Sequence, residues 1–170
     1  MGNTSNQHIT WKGKPLTVLG RELHVGEKAP PLRLVGNDLQ DITSEQFKGK
    51  RLVISVVPSL DTSTCAVQTK RFNQEAEKYA VDVVILTVSE DLPFAQARWC
   101  GAEGVKNVIT ASNYKYRNFG DDFGVHIQDL GLLARAVFVV DQSNTITHVE
   151  YVENLSAEPD YAAVMKVLVA

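Results

Sequence analysis

The sequence predicts a single α/β domain with a mixed central sheet flanked by helices, and three observations predict it. Two runs rich in β-branched and aliphatic residues, Leu52 to Val57 and Val83 to Val88, have the character of strands buried on both faces. Between them, Ala66 to Tyr79 carries helical spacing without Gly or Pro, with Phe72, Ala76 and Tyr79 on one face. Near the C-terminus, Leu133 to Val140 and Thr145 to Val152 flank Asp141-Gln142-Ser143-Asn144 and read as an antiparallel hairpin. A length of 170 residues suits one domain, 1–170, and 44% hydrophobic residues is enough to build its core.

The remaining elements follow in chain order. Ile9 to Lys12 and Leu16 to Leu19 flank Gly13-Lys14-Pro15 and predict an N-terminal β-hairpin. Leu32 to Val35 is a short extended piece that ends at the turn signal Gly36-Asn37-Asp38, and Ser44 to Phe47 is one helical turn before Gly49. After the second strand, Pro93 suits the first turn of a helix running to Trp99 or Cys100, before Gly101 and Gly104. Asn107 to Thr110 reads as a weaker strand, Tyr114 to Phe123 has no clear periodicity, and Pro159 to Val169 is a C-terminal helix. The order βαβ, a further helix, then ββα is the pattern of a thioredoxin-like fold, although by itself it leaves several other α/β arrangements open.

Composition excludes several classes of function. A net charge of −3 with no basic block provides no electrostatic surface for nucleic acid or an anionic membrane. No apolar run approaches the roughly 18–20 residues of a membrane span, and Met1 to His8 shows neither the basic nor the apolar region of a secretory signal. Two cysteines do not make a disulfide scaffold. A cytoplasmic protein whose cysteines do chemistry is the expectation.

That chemistry centres on Pro58-Ser59-Leu60-Asp61-Thr62-Ser63-Thr64-Cys65. The apolar run stops at Pro58, a hydroxyl-rich loop follows, and Cys65 opens the helical segment. A cysteine there lies among unpaired backbone N–H groups at the positive end of a helix dipole, which favours thiolate over thiol. An ordinary cysteine, with a pKa of about 8.5, is only about 3% thiolate at pH 7. Pro58 has a structural reading as strand terminator and loop stiffener, and Thr62 has one as a turn residue. Arg135, inside the apolar run between Ala134 and Ala136, is either a solvent-facing edge residue or a buried charge with a use. Cys100, beside Trp99, reads by itself as packing.

Three segments resemble the peroxiredoxins. Pro58, Thr62 and Cys65 match the Pro-xxx-Thr-xx-Cys motif. Asp91-Leu92-Pro93-Phe94-Ala95-Gln96-Ala97-Arg98-Trp99-Cys100-Gly101 resembles the second-cysteine segment of the thiol peroxidase subfamily, the atypical two-cysteine peroxiredoxins. Leu132 to Asp141 resembles its arginine-bearing strand. With Thr10 to Gly20 and Val149 to Val152, the resemblance covers nearly the whole chain. It implies a peroxidatic Cys65 that hydrogen peroxide or an organic hydroperoxide oxidises to a sulfenic acid, and a resolving Cys100 that closes an intramolecular Cys65–Cys100 disulfide. It assigns Thr62 and Arg135 to the thiolate and the peroxide, and Pro58 to shielding the sulfur from water. It further implies thioredoxin or a similar dithiol as reductant, a homodimer, and no cofactor. Thr64 departs from the resemblance, because the residue before the cysteine is commonly apolar in that subfamily.

The four histidines, His8, His24, His126 and His148, have no ligand-like spacing, so no metal is expected. Gly101, Gly104 and Gly120 form no phosphate-binding fingerprint. Phe94, Trp99 and Phe123 read either as core or as an apolar rim for alkyl hydroperoxides. Two other functions use the same thiol: a disulfide carrier between proteins, against which the lack of Cys-x-x-Cys counts, and a redox sensor without turnover.

Overall fold

Strand register, set by where the apolar residues fall, builds the frame that carries Cys65. The computed structural model describes residues 4, 7–79 and 82–170. The stretch Met1 to His8, read as lacking a secretory signal, lies largely outside them. β1 (Thr10–Trp11) and β2 (Lys14–Pro15) form the expected N-terminal hairpin. Its turn is tighter than the sequence suggests. Lys12 and Gly13 both take positive φ, the signature of a two-residue primed turn, so Lys14-Pro15 is strand rather than loop. β3 (Val18–Leu19) leaves the hairpin to pair with β9 (His126–Ile127), which also pairs with β10 (Leu132–Leu133).

The main sheet has seven strands. β4 (Arg33–Gly36) turns back through Gly36 to Asp38 into β5 (Asp41–Thr43), and the 3₁₀ turn Ser44–Phe47 follows. β6 (Arg51–Val56), β7 (Val83–Ser89) and β8 (Ile109–Ser112) run parallel in the middle. β11 (Ala136–Val140) and β12 (Ile146–Tyr151) add an antiparallel hairpin on one side, and β4 and β5 another on the other. The spatial order β12-β11-β6-β7-β8-β4-β5 is the mixed sheet of a thioredoxin-like fold.

Three longer helices cover one face: α1 (Ser63–Ala76), α2 (Pro93–Glu103) and α4 (Tyr161–Val169). Val53, Ile85, Val137 and Val139 point at them and pack with Phe72, Val164 and Leu168. Side chains at neighbouring strand positions, Ile54, Val56, Leu86, Val88 and Phe138, point the other way. They meet Phe119 and Phe123 from around the short α3 (Phe119–Asp122), with Ile127 and Leu133 from the small sheet. The central strands are therefore apolar on both faces, as their sequences require.

Several boundaries differ from expectation, and α1 ends at Ala76 rather than Tyr79. α1 begins at Ser63, so Cys65 is the third helical residue rather than the first. α2 passes through Gly101 and ends at Gly104, which takes the left-handed conformation (φ 66°) and donates its N–H to the Cys100 carbonyl. The stretch Leu133 to Val140 is not one strand. Leu132–Leu133 belongs to the small sheet, and the chain crosses at Ala134-Arg135 before entering β11.

Candidate active site

Cys65 is fully buried in the first turn of α1, against Val57, Leu60 and Trp99. The first helical hydrogen bond runs from the Ala66 N–H to the Thr62 carbonyl (2.9 Å). The amides of residues 63–65 therefore precede the ladder, where the backbone presents positive charge.

Arg135 approaches the sulfur from the crossing between the two sheets. Its Nη2 lies 3.4 Å from Cys65 Sγ and 2.9 Å from the Leu155 carbonyl, and its Nε donates to that carbonyl at 3.2 Å. Its Nη1 donates to Gln68 Oε1 at 2.8 Å, and Gln68 Nε2 donates to Ser55 Oγ at 2.7 Å. Arg135 is 2% exposed. Among the described residues no carboxylate forms an ion pair with it. A buried guanidinium held by neutral acceptors keeps its charge and so calls for a counter-anion. Its Nη2 contact sets that charge against the Cys65 sulfur.

Gln68 has no role in the sequence reading, although a signal for it exists. It sits three residues after Cys65 on the buried face of α1, among positions that a helix would otherwise fill with apolar side chains. Its two amide ends fix Arg135 to β6 in one geometry.

The loop before Cys65 is equally ordered. Pro58 is buried where β6 ends, and Thr62 is the N-cap residue of α1. The Thr62 hydroxyl donates to the Ser59 carbonyl (3.1 Å), not to the sulfur, which leaves its oxygen lone pairs as acceptors. Thr64 donates its hydroxyl to the Ser156 carbonyl (3.2 Å), tying the first turn of α1 to the segment whose Leu155 carbonyl holds Arg135. On the other side, Asp91 receives Ser59 Oγ and the Leu60 N–H, each at 2.8 Å.

Cys100 lies in the last turn of α2, half-buried, with its thiol 3.8 Å from the Thr110 hydroxyl on β8. Burial pushes the Cys100 thiol up from its ordinary value, and the hydrogen bond to Thr110 offsets part of that. Cys65 and Cys100 are both free thiols in folded helices. Gln68, one turn after Cys65, is anchored on β6, and Cys100 is anchored on β8, two strands away, or about 10 Å. Trp99 packs against the pocket of Cys65 and also on the helix-side core. The structure thus brings Cys65 and Arg135 together, buries Pro58 at the end of β6, keeps Thr62 at the loop rim, and parks Cys100 on a neighbouring helix.

The aromatic residues divide. Phe123 is core, stacked on Phe119 with ring centroids 4.2 Å apart. Phe94 is 66% exposed, next to the exposed Leu92, at the start of α2.

Known proteins resemble this chain in sequence and in fold. The Redoxin family model matches residues 24–165. A thiol peroxidase of Oceanobacillus iheyensis is 51% identical over 158 residues, covering 93% of this chain and 96% of its own. One from Bacillus subtilis is 48% identical over 153 residues, covering 90% and 91%. The crystal structure of a peroxiredoxin-like protein from Aquifex aeolicus superimposes with a TM-score of 0.89 at 38% identity, covering 99% of both chains.

Proposed function

Because this chain belongs to the thioredoxin-like peroxiredoxin family, we propose that it is a thiol peroxidase that reduces hydrogen peroxide and organic hydroperoxides, as part of antioxidant defence. The Cys65 thiolate attacks one peroxide oxygen, the O–O bond breaks, and water or an alcohol leaves after taking up a proton. Arg135 stabilises the thiolate and draws charge from the breaking bond, while the Thr62 oxygen accepts the peroxide hydrogen. Pro58 keeps the pocket dry. Cys100 then attacks the sulfur of the Cys65 sulfenic acid, giving the Cys65–Cys100 disulfide and water. Since that bond needs Cα atoms within roughly 7 Å, the first turn of α1 and the end of α2 unwind during each cycle.

The observation that carries this reading is the buried, carboxylate-free Arg135 with Nη2 at 3.4 Å from Cys65 Sγ. The domain, 1–170, works as a homodimer in the cytoplasm, and thioredoxin or a similar dithiol reduces its disulfide by exchange. The exposed Leu92 and Phe94 give an alkyl hydroperoxide an apolar approach. A thioredoxin-coupled peroxidase assay tests the reading. Cys65→Ser abolishes turnover, and Cys100→Ser stalls after one oxidation of Cys65. Appreciable turnover by Cys65→Ser would overturn the mechanism. Undiminished multiple turnover by Cys100→Ser would reduce Cys100 to a packing residue.

A further inference from the structure

Asp91 stands outside the chemistry above, yet it joins the two segments that the chemistry must rearrange. Its carboxylate receives three hydrogen bonds: from Ser59 Oγ (2.8 Å) and the Leu60 N–H (2.8 Å) in the loop before Cys65, and from Ser89 Oγ (2.7 Å) at the end of β7. Its own carbonyl receives Ser112 Oγ at 2.5 Å, which pins it to β8. Two residues later Pro93 opens α2, the helix of Cys100, and Gln96 on that helix donates to Ser89 Oγ (3.0 Å). One carboxylate therefore clamps the Cys65 loop to the root of the Cys100 helix. Hydrogen bonds to a charged acceptor are about twice as strong as neutral ones, and these are partly buried.

We propose that Asp91 is a positioning residue that latches the Cys65 turn in its docked place, and that its release sets how fast the Cys65 sulfenic acid is resolved by Cys100. The proposal rests on the two-cysteine reading above. While the latch is closed, Cys65 stays beside Arg135, where a second peroxide can oxidise the sulfenic acid to a sulfinic acid with loss of water. Once it opens, the turn unwinds and the Cys100 thiol displaces water from the same sulfur. Asp91 thereby divides the sulfenic acid between disulfide and overoxidation.

Asp91→Asn puts an amide donor where donors already point, and opens the latch. Loss of about one charge-assisted bond from the unwinding step predicts about tenfold faster resolution by rapid-quench mass spectrometry. The peroxide dose that gives half sulfinic Cys65 should rise by a similar factor. Ser59→Ala deletes one of the three bonds and should move both quantities in the same direction by less. It should add little in the Asp91→Asn background, because both act through one clamp. A merely structural aspartate would lower thermal stability without shifting this partition. Wild-type disulfide formation with an unchanged partition in Asp91→Asn, or fully additive effects of the two substitutions, would overturn the latch alone. Wild-type turnover without a Cys65–Cys100 disulfide would instead overturn the reading beneath it.

Discussion

Replacing Arg135 with Met tests the site where its electrostatics are concentrated. The substitution keeps an unbranched apolar stem in a fully packed position and removes the positive charge. It deletes the 3.4 Å contact with Cys65 Sγ and the donors to Gln68 Oε1 and the Leu155 carbonyl. A hydrogen bond to a charged partner contributes about 1.5–3 kcal/mol, and each 1.4 kcal/mol is about tenfold in rate. Loss of thiolate stabilisation alone therefore slows the reaction about 10- to 100-fold, and loss of peroxide polarisation extends this toward about 10³-fold. Stability moves less. Two acceptors lose their donor, at about 1–3 kcal/mol each, but a guanidinium without a carboxylate partner no longer has to be buried. Stopped-flow oxidation gives the peroxide rate constant, iodoacetamide alkylation at neutral pH gives the thiolate reactivity, and a thermal melt isolates packing. Both reactivities should fall together, and Lys at this position should restore only part of the rate, since it returns charge without the forked donors. An Arg135→Met protein with a near-normal peroxide rate and undiminished alkylation would refute the reasoning, whatever its melting temperature.

Thr64→Val exchanges the bond to the Ser156 carbonyl for the apolar side chain common in the subfamily; it should cost about 1 kcal/mol in urea unfolding and leave the peroxide rate within about threefold. A larger rate loss would place the Thr64 hydroxyl in the chemistry. Burial pushes the Tyr151 phenol up from 10.0 to about 12, while its hydroxyl donates to the Phe123 carbonyl and accepts from the Leu23 N–H. The folded state holds that proton more tightly than the unfolded chain does. This contribution is complete below about pH 10 and is lost as pH rises toward about 12. Urea midpoints should fall more steeply across that window in wild type than in Tyr151→Phe, and parallel curves would contradict the assignment.

The parts of the fold legible in the sequence were those under the strongest constraint. β6 and β7 are buried on both faces, so their sequences are apolar and β-branched with few polar interruptions, and α1 declares itself by Phe72 and Ala76, with Tyr79 just past its end, on the helix-side core. β5 went unread because three residues alternating around Ile42 give too short a pattern. The long strand drawn through Arg135 failed for a different reason. Leu132–Leu133 and Ala136–Val140 are both apolar, and only pairing shows that they belong to different sheets. That crossing also decides between the two readings of Arg135: it turns the side chain inward to α1, where strand alternation predicts nothing. That Pro58, Thr62 and Cys65 share one loop at the start of α1 was legible because they are close in sequence. Asp91 was not, since its partners Ser59 and Leu60 lie a helix and a strand upstream and meet it only when β6 and β7 pair.

The central claim is that one sulfur is oxidised and the other resolves it within the same chain. Peptide mapping by mass spectrometry of the protein treated with one equivalent of peroxide, without reductant, addresses it directly. A Cys65–Cys100 cross-linked peptide pair is expected, at the mass of the two peptides less their thiol hydrogens, and thioredoxin should reverse it. Oxidised Cys65 with Cys100 still a free thiol in the wild-type protein would contradict it.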